Sequence, residues 1–334
     1  MKNVGRFLTL TLLAALLVIA PGAALAQGGP NPICTGLVDA DCQLLTGASA
    51  AMEGVRSFSI PSYSINFLLN SASGETTFNV SGSGHVMVPE GIETMESPEG
   101  LLLHLVMDSV AYSTPTDSNA GSGEILVLDN MLYVKFNDEW YGGTLEDEEG
   151  EVEEGLDETG LEDLADLRQQ FADLGVDLTG VVSSVRNADG DAMGQPTASF
   201  TTSVDITGLF LALLQSPAVG EAMGMAGEGE DAMTPEDLQM VAAFIAPMFQ
   251  GTTISLTQEI GTEDNLIHSL AFDLVLNADL SMFAPEIGAV AGTLNFAADL
   301  DEYNGAFEVP APESYRPLEE LEAQLEGMTE GLGL

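Results

Sequence analysis

Apolar residues recur along this chain at two distinct periods. Between Asp39 and Val55, the residues Leu44, Leu45, Ala48, Ala51, Met52 and Val55 are spaced by threes and fours, which predicts a helix with one apolar face. The period then falls to two. Phe58 and Ile60 alternate with polar residues, and the phase shifts across Pro61 to Tyr63, Ile65, Phe67 and Leu69, as expected of a strand with a bulge or an edge at the proline. Phe78, Val80, Gly82, Gly84, Val86 and Val88 keep strict alternation in the next strand. Leu101 to Tyr112 is apolar at both parities, so that strand is expected to be covered on both faces. Ile125 to Phe136 reads as a hairpin turning near Asp129-Asn130.

The middle of the chain changes character. Nine of the thirteen residues from 146 to 158 are acidic, a density of like charge that predicts a solvated loop. Thr159-Gly160-Leu161-Glu162 then forms a capping box for a helix carrying Leu161, Leu164, Leu167, Phe171 and Leu174. A strand pair follows around Asp189-Gly190, its second member alternating Ala198, Phe200, Thr202 and Val204. Residues 206–249 read as a helical insertion. Ile206 to Leu214 is apolar nearly all round, and Thr234-Pro235-Glu236-Asp237 opens a second helix whose face carries Leu238, Val241, Phe244, Ile245 and Met248. Three more alternating strands end the sheet, with Ile254, Leu256 and Ile260, then Leu266 to Leu280, then Val290 to Leu300. After Pro310 and Pro317, a last amphipathic helix is expected along Leu318, Leu321, Leu325 and Met328. Strand runs interrupted by helices, without β-α-β alternation, predict an α+β fold with helices packed on one face of a large antiparallel sheet.

Charge and address narrow the function classes. The 334 residues hold 53 Asp and Glu against 7 Lys and Arg, a net charge of −46, which excludes phosphate recognition by clustered cations and hence nucleic acid. A hydrophobic content of 45% nevertheless demands a packed core. Lys2 and Arg6 precede an apolar run from Phe7 to Ala20 and the stretch Ala24-Leu25-Ala26, so residues 1–26 read as a cleaved secretory signal peptide. The run is shorter than the ~20 residues a spanning helix needs. The mature chain is thus expected to be extracytoplasmic and soluble, with no stable membrane insertion after cleavage. Residues 27–38 read as a linker. Cys34 and Cys42, the only two cysteines, are expected to pair as a local disulfide outside the cytoplasm.

No G-x-S-x-G elbow, P-loop, H-E-x-x-H or EF-hand pattern occurs, so no enzymatic activity, cofactor or metal is expected. Asp189-Gly190-Asp191 offers oxygens to a calcium ion, but a turn between strands explains it as well. By alternation, His85 and His268 fall at apolar-face positions and His104 at the opposite parity, each as a structural histidine. Five of the fourteen methionines, Met223, Met225, Met233, Met240 and Met248, lie in the helical insertion. They are suited to an adaptable apolar cavity or to ordinary core filling.

Three segments carry a family resemblance. Ala50-Ala51-Met52 through Val55-Arg56-Ser57-Phe58 joins a helix to the first long strand. Asn130-Met131-Leu132-Tyr133-Val134-Lys135 with Trp140 makes a hairpin, and Asp301-Glu302-Tyr303-Asn304 with Val309-Pro310 closes the sheet. In this order they resemble bacterial lipoprotein and lipid carriers of the LolA type, closest to the mycobacterial LppX/LprG-like branch, over residues 43–312. The resemblance implies a strongly curved antiparallel half-barrel with helices on its concave face and an apolar cavity between them. The chain lacks the lipidation cysteine of that branch, which implies a free carrier. The expected architecture is a single domain over 39–312, with the acidic loop 146–158 and the insertion 206–249, followed by a C-terminal helix and tail over 313–334. The cavity candidates are Phe200, Leu209, Phe210, Leu213, Met240, Phe244, Met248, Phe272, Leu274, Leu294 and Phe296. The expected function is sequestration of an acyl chain, lipid or lipoprotein lipid moiety. The alternative is an envelope structural or interaction module whose core is filled by its own side chains. No protein partner is implied.

Overall fold

The computed structural model describes residues 32–71, 74–88, 101–145, 180–206, 208–209, 251–279 and 289–321. The signal peptide, the acidic loop, the capping-box helix, nearly all of the insertion and the end of the C-terminal helix lie outside them.

One helix and one large sheet organise what is described. Helix α1, Asp39–Met52, follows a short 3-10 turn, Pro32–Cys34, and the strands are β1 Ser57–Ser71, β2 Gly74–Met87, β3 Leu102–Ser113, β4 Ser118–Leu128, β5 Met131–Phe136 and β6 Glu139–Thr144. After these come β7 Val182–Arg186, β8 Gly190–Ala192, β9 Gln195–Val204, β10 Thr253–Gly261, β11 Ile267–Asp279, β12 Ala289–Asp301 and β13 Arg316–Pro317. They form one open sheet in the order β13-β6-β5-β4-β3-β2-β1-β12-β11-β10-β9-β7, with β8 paired to β9. Every pairing is antiparallel except β13 on β6. The fold is the half-barrel class, with the two halves of the chain joined where β1 meets β12.

Local chemistry explains several boundaries. The phase shift at Pro61 is a bulge, since the register of β1 slips between Ile60 and Tyr63 against β2. A proline lacks the amide a regular ladder needs, so the ladder skips it. Asp129 and Asn130 sit at φ 50° and 63°, the left-handed pair of a tight hairpin between β4 and β5. A second tight turn falls at Met193 and Gly194, φ 53° and 77°. The turn expected at Asp189-Gly190 is therefore displaced, and β7 meets β9 across an excursion that includes β8.

Inner-face residues of β1, β2, β3 and β12 pack with α1 into one core containing Leu45, Ala48, Met52, Phe58, Ile60, Val86, Leu103 and Leu300. The Cys34–Cys42 disulfide ties the preceding turn to the first turn of α1. From there Thr35 accepts a hydrogen bond from the Ser184 amide on edge strand β7 at 2.9 Å, and Arg186 meets Asp41 at 2.9 Å. The opposite edge is closed by β13, with Arg316 on Glu139 at 3.1 Å. Both edges of the open sheet are thus capped by the chain's own ends, which removes the template that a bare edge offers to another strand.

β3 is covered on both faces only in its first half. Leu102 and Leu103 point to opposite sides and both are buried, whereas Asp108 and Ser109 are exposed. What covers the outer side is the segment 302–315, which crosses β1 to β6. Asn304 donates to the Ser57 carbonyl at 2.7 Å, Phe307 lies on His85 with ring centroids 4.6 Å apart, and Tyr315 meets Tyr133 edge-on at 5.2 Å.

Candidate functional site

Residues paired across an antiparallel ladder share a face, so the register assembles rows that no single strand reveals. One row runs through eight strands as Val182, Val204, Ile254, Leu274, Leu294, Phe67, Phe78 and Tyr112. Its neighbour towards α1 reads Ser184, Thr202, Leu256, Phe272, Phe296, Ile65, Val80 and Val110. The outer face of the same strands presents Ser64, Asn66, Asn79, Ser81, Asp273 and Asn295.

Burial divides the inner face into two ends. Under α1 it is sealed, with Phe200, Ile260 and Leu300 at 0% exposure. Away from α1, Phe67, Phe78, Tyr112, Ile254, Leu274 and Leu294 are all only half-buried. The result is a trough-like apolar surface, half-buried, that reaches the rim where β9 ends and β10 begins. Leu209 donates its amide to Asp205 in a helical turn at that rim, and Gly251 re-enters beside Asn277. The segment between them thus leaves and returns at the half-buried end.

The candidate residues separate accordingly. Phe272, Leu274 and Leu294 line the trough, Phe296 sits at its inner boundary with 8% exposure, and Leu209 is half-buried at the rim. Phe200 lies in the sealed end with the Arg186 guanidinium 4.9 Å above its ring. Phe210, Leu213, Met240, Phe244 and Met248 lie outside the described residues. The sequence reading passed over Ile65, Phe67, Phe78, Val110 and Tyr112, which the register places on the same face. Alternation marked most of them as inward, but only the β1–β12 pairing sets them beside β11.

The polar groups of the inner face are few and mostly engaged. Tyr63 donates to the Val106 carbonyl at 3.3 Å, and its burial, with Asp108 nearby, pushes its phenol up to about 12. The Ser184 and Thr202 hydroxyls bond to one another at 2.8 Å. Arg186, the one cation on these rows among the described residues, is held by Asp41 and Asp189. Asp189 is therefore occupied, and Asp191 accepts from the Gly194 amide at 3.1 Å, as carboxylates of a turn do. No group of three His, Cys, Asp or Glu among the described residues is placed to hold a metal.

The histidines do not divide between faces as alternation implied. His85 and His104 are cross-strand partners and share the outer face, because the register of β2 on β3 sets them opposite each other. His268 occupies a register shift in β11, its Nε2 donating to the Asp264 carboxylate at 2.9 Å with Tyr303 edge-on to its ring.

No family model matches the chain, and no curated protein does. Among solved structures, it is similar to the lipoprotein LppX of Mycobacterium tuberculosis at 11% identity and a TM-score of 0.32, over 82% of this chain and 100% of that one. LprF from Mycobacterium bovis overlays at 12% identity and a TM-score of 0.32, over 86% and 100% of the two chains. A putative outer membrane lipoprotein-sorting protein domain from Vibrio parahaemolyticus overlays at 9% identity and a TM-score of 0.17, over 80% and 93%. Among the described residues no helix is long and apolar enough to cross a membrane.

Proposed function

We propose that the protein is an extracytoplasmic, non-enzymatic carrier that shelters an apolar ligand, an acyl chain or lipid, in the inner trough. The observation that carries this reading is the eight-strand apolar row, half-buried along the end of the sheet away from α1. Phe272, Leu274 and Leu294 form the floor on one side of the β1–β12 seam, with Phe67 and Phe78 on the other. On this proposal the insertion 206–249, most of which lies outside the described residues, would supply the rest of the lining, with Phe210, Leu213, Met240, Phe244 and Met248 as its candidates. With Arg186, the one inner-face cation among the described residues, already paired, binding is driven by burial of apolar surface, at about 25 cal/mol per Å², and not by an anionic head group.

The test is fluorescent fatty-acid binding to the mature protein, with mass spectrometry of organic extracts from natively purified material. Binding that weakens at least ~10-fold in Leu274→Asp and Leu294→Asp, with changes under ~2-fold between 0.1 and 1 M NaCl, supports the carrier. Leu213→Trp and Met240→Trp separate this from a filled core. A cavity loses ligand with little loss of stability, whereas a packed interior is overpacked and loses ~1–3 kcal/mol. Unchanged binding with lowered urea midpoints in both Trp variants leaves the structural module as the better reading.

A further inference from the structure

Of the three histidines, His85 and His104 lie side by side on the outer face beneath the C-terminal segment, and His268 meets the start of that segment at Tyr303. We propose that residues 302–317 form a pH-operated latch, in which protonation of His85, stacked between His104 and Phe307, loosens this strap from the sheet.

The strap is rooted in the core at Tyr303, which packs against Phe58 and donates to the Ile267 carbonyl, and beyond that it is held at discrete points. Asn304 donates to Ser57 and accepts from the Arg56 amide at 2.9 Å, while Ser57 donates its hydroxyl to the Gly305 carbonyl at 2.6 Å. The next contact along it is Phe307 on His85, and after that come Tyr315 on Tyr133 and Arg316 on Glu139. His85 is therefore the anchor in the middle of the span.

Its surroundings suit a neutral ring. His104 stacks against it from β3 with centroids 6.2 Å apart, Ser59 stands opposite on β1, and the strap contributes Phe307 and Glu302. The Nδ1 atoms of both histidines are buried without a hydrogen-bond partner. Protonation turns each ring nitrogen into a donor, so a buried Nδ1–H would stand without an acceptor. A charge on His104 is met by Glu124 at 2.7 Å, a carboxylate that also faces Lys135 at 3.6 Å. A charge on His85 has only the more distant field of Glu302. Burial first and His104 second hold the His85 imidazole below the usual histidine range, with Glu302 acting the other way.

The direction of the response follows. The detached state takes up a proton as pH falls through about 6.5, before the docked state does. Attachment is thus complete above the ordinary histidine range and weakens as pH falls towards the lower value of the docked ring. His268 stands apart from Phe307, with its Nε2 2.9 Å from the Asp264 carboxylate and Tyr303 edge-on to its ring.

Hydrogen exchange on the full mature chain at pH 7.5 and 5.0, corrected for intrinsic rates, reads this directly, and the histidine variants separate it from carboxylates that begin to titrate near pH 5. The expected result is that amides of 303–317 lose ~10-fold protection at pH 5.0 while the β1–β12 ladder keeps its own. His85→Gln should abolish the loss, His104→Gln should reduce it and His268→Gln should leave it unchanged. Phe307→Ala should lower strap protection at both pH values. Equal strap protection at the two pH values overturns the latch, as does an undiminished loss in both His85→Gln and His104→Gln. Parallel loss across the β1–β12 ladder, which marks global unfolding, overturns it too.

Discussion

At Gly82 a single hydrogen atom decides whether β2 and β3 can meet. A Cβ there would stand 1.8 Å from the Val106 carbonyl oxygen and 3.0 Å from the Tyr63 hydroxyl, so the glycine is what lets the tyrosine ring lie across the ladder. Gly82→Ala should lower stability by ~1–3 kcal/mol, since backbone must move to admit the methyl. Gly121→Ala on β4, where nothing lies within 4 Å, should stay within ~0.5 kcal/mol. Urea midpoints of the two variants check the contrast. The same tyrosine makes stability depend on alkaline pH. With its phenol pushed up to about 12 in the folded protein and its ordinary value at 10.0, the unfolded chain loses the proton first. This contribution is therefore intact below pH 10 and is lost as pH rises towards 12. Tyr63→Phe should flatten that limb of the stability profile, provided the remaining tyrosines are compared as background. Tyr303, also raised by burial, adds to the background in the same direction.

At the scale of elements, the chain spends its scarce cations on seams. Arg186 joins β7 to α1 through Asp41, and Arg316 joins the C-terminal strap to β6 through Glu139. The disulfide belongs to the first seam, because it holds the turn from which Thr35 reaches Ser184. A Cβ on Gly36, at φ +94°, would stand 2.9 Å from the Ser184 carbonyl, so this turn lies directly against the edge. Cys34→Ser with Cys42→Ser should lower stability by ~2–3 kcal/mol, as expected for so short a closed loop. It should also increase self-association by freeing the β7 edge, which light scattering at matched fractions folded would detect. A double variant that stays monomeric would show that Arg186 and α1 suffice to cover the edge.

Across the whole molecule, 53 acids face 7 bases, and screening should weaken repulsion in the compact state more than in the expanded one. The thermal midpoint should rise from low to molar NaCl, with a sulfate series separating screening from general salting-out. A flat NaCl response at neutral pH counts against repulsion as a determinant of stability. The same charge bears on delivery, because an anionic membrane would oppose approach within about a Debye length, ~8 Å at physiological salt. Trough binding, by contrast, should barely sense salt, so the two measurements separate the charged exterior from the apolar interior.

The sequence by itself determined whatever depends on near neighbours. Period-two alternation located most of the strands, Pro61 marked the bulge, Asp129-Asn130 marked the hairpin and the spacing from Leu44 to Met52 marked α1. The nearby cysteine pair was legible for the same reason. Only the tertiary structure decided which distant strands adjoin. Ser62 bonds to Asp299 at 2.7 Å across 237 residues, and that β1–β12 seam turns two separate apolar patterns into one trough. It also decided what covers the outer face. Tyr133 is buried there beneath Tyr315 of the 302–315 segment, although that stretch has no regular period to announce a packed layer. Histidine parity failed for two reasons. His85 lies between Gly84 and Val86 of the alternating inner row, so spacing alone turns it outward, whereas His268 sits at a register shift, where one residue's slip moves side chains to the other face.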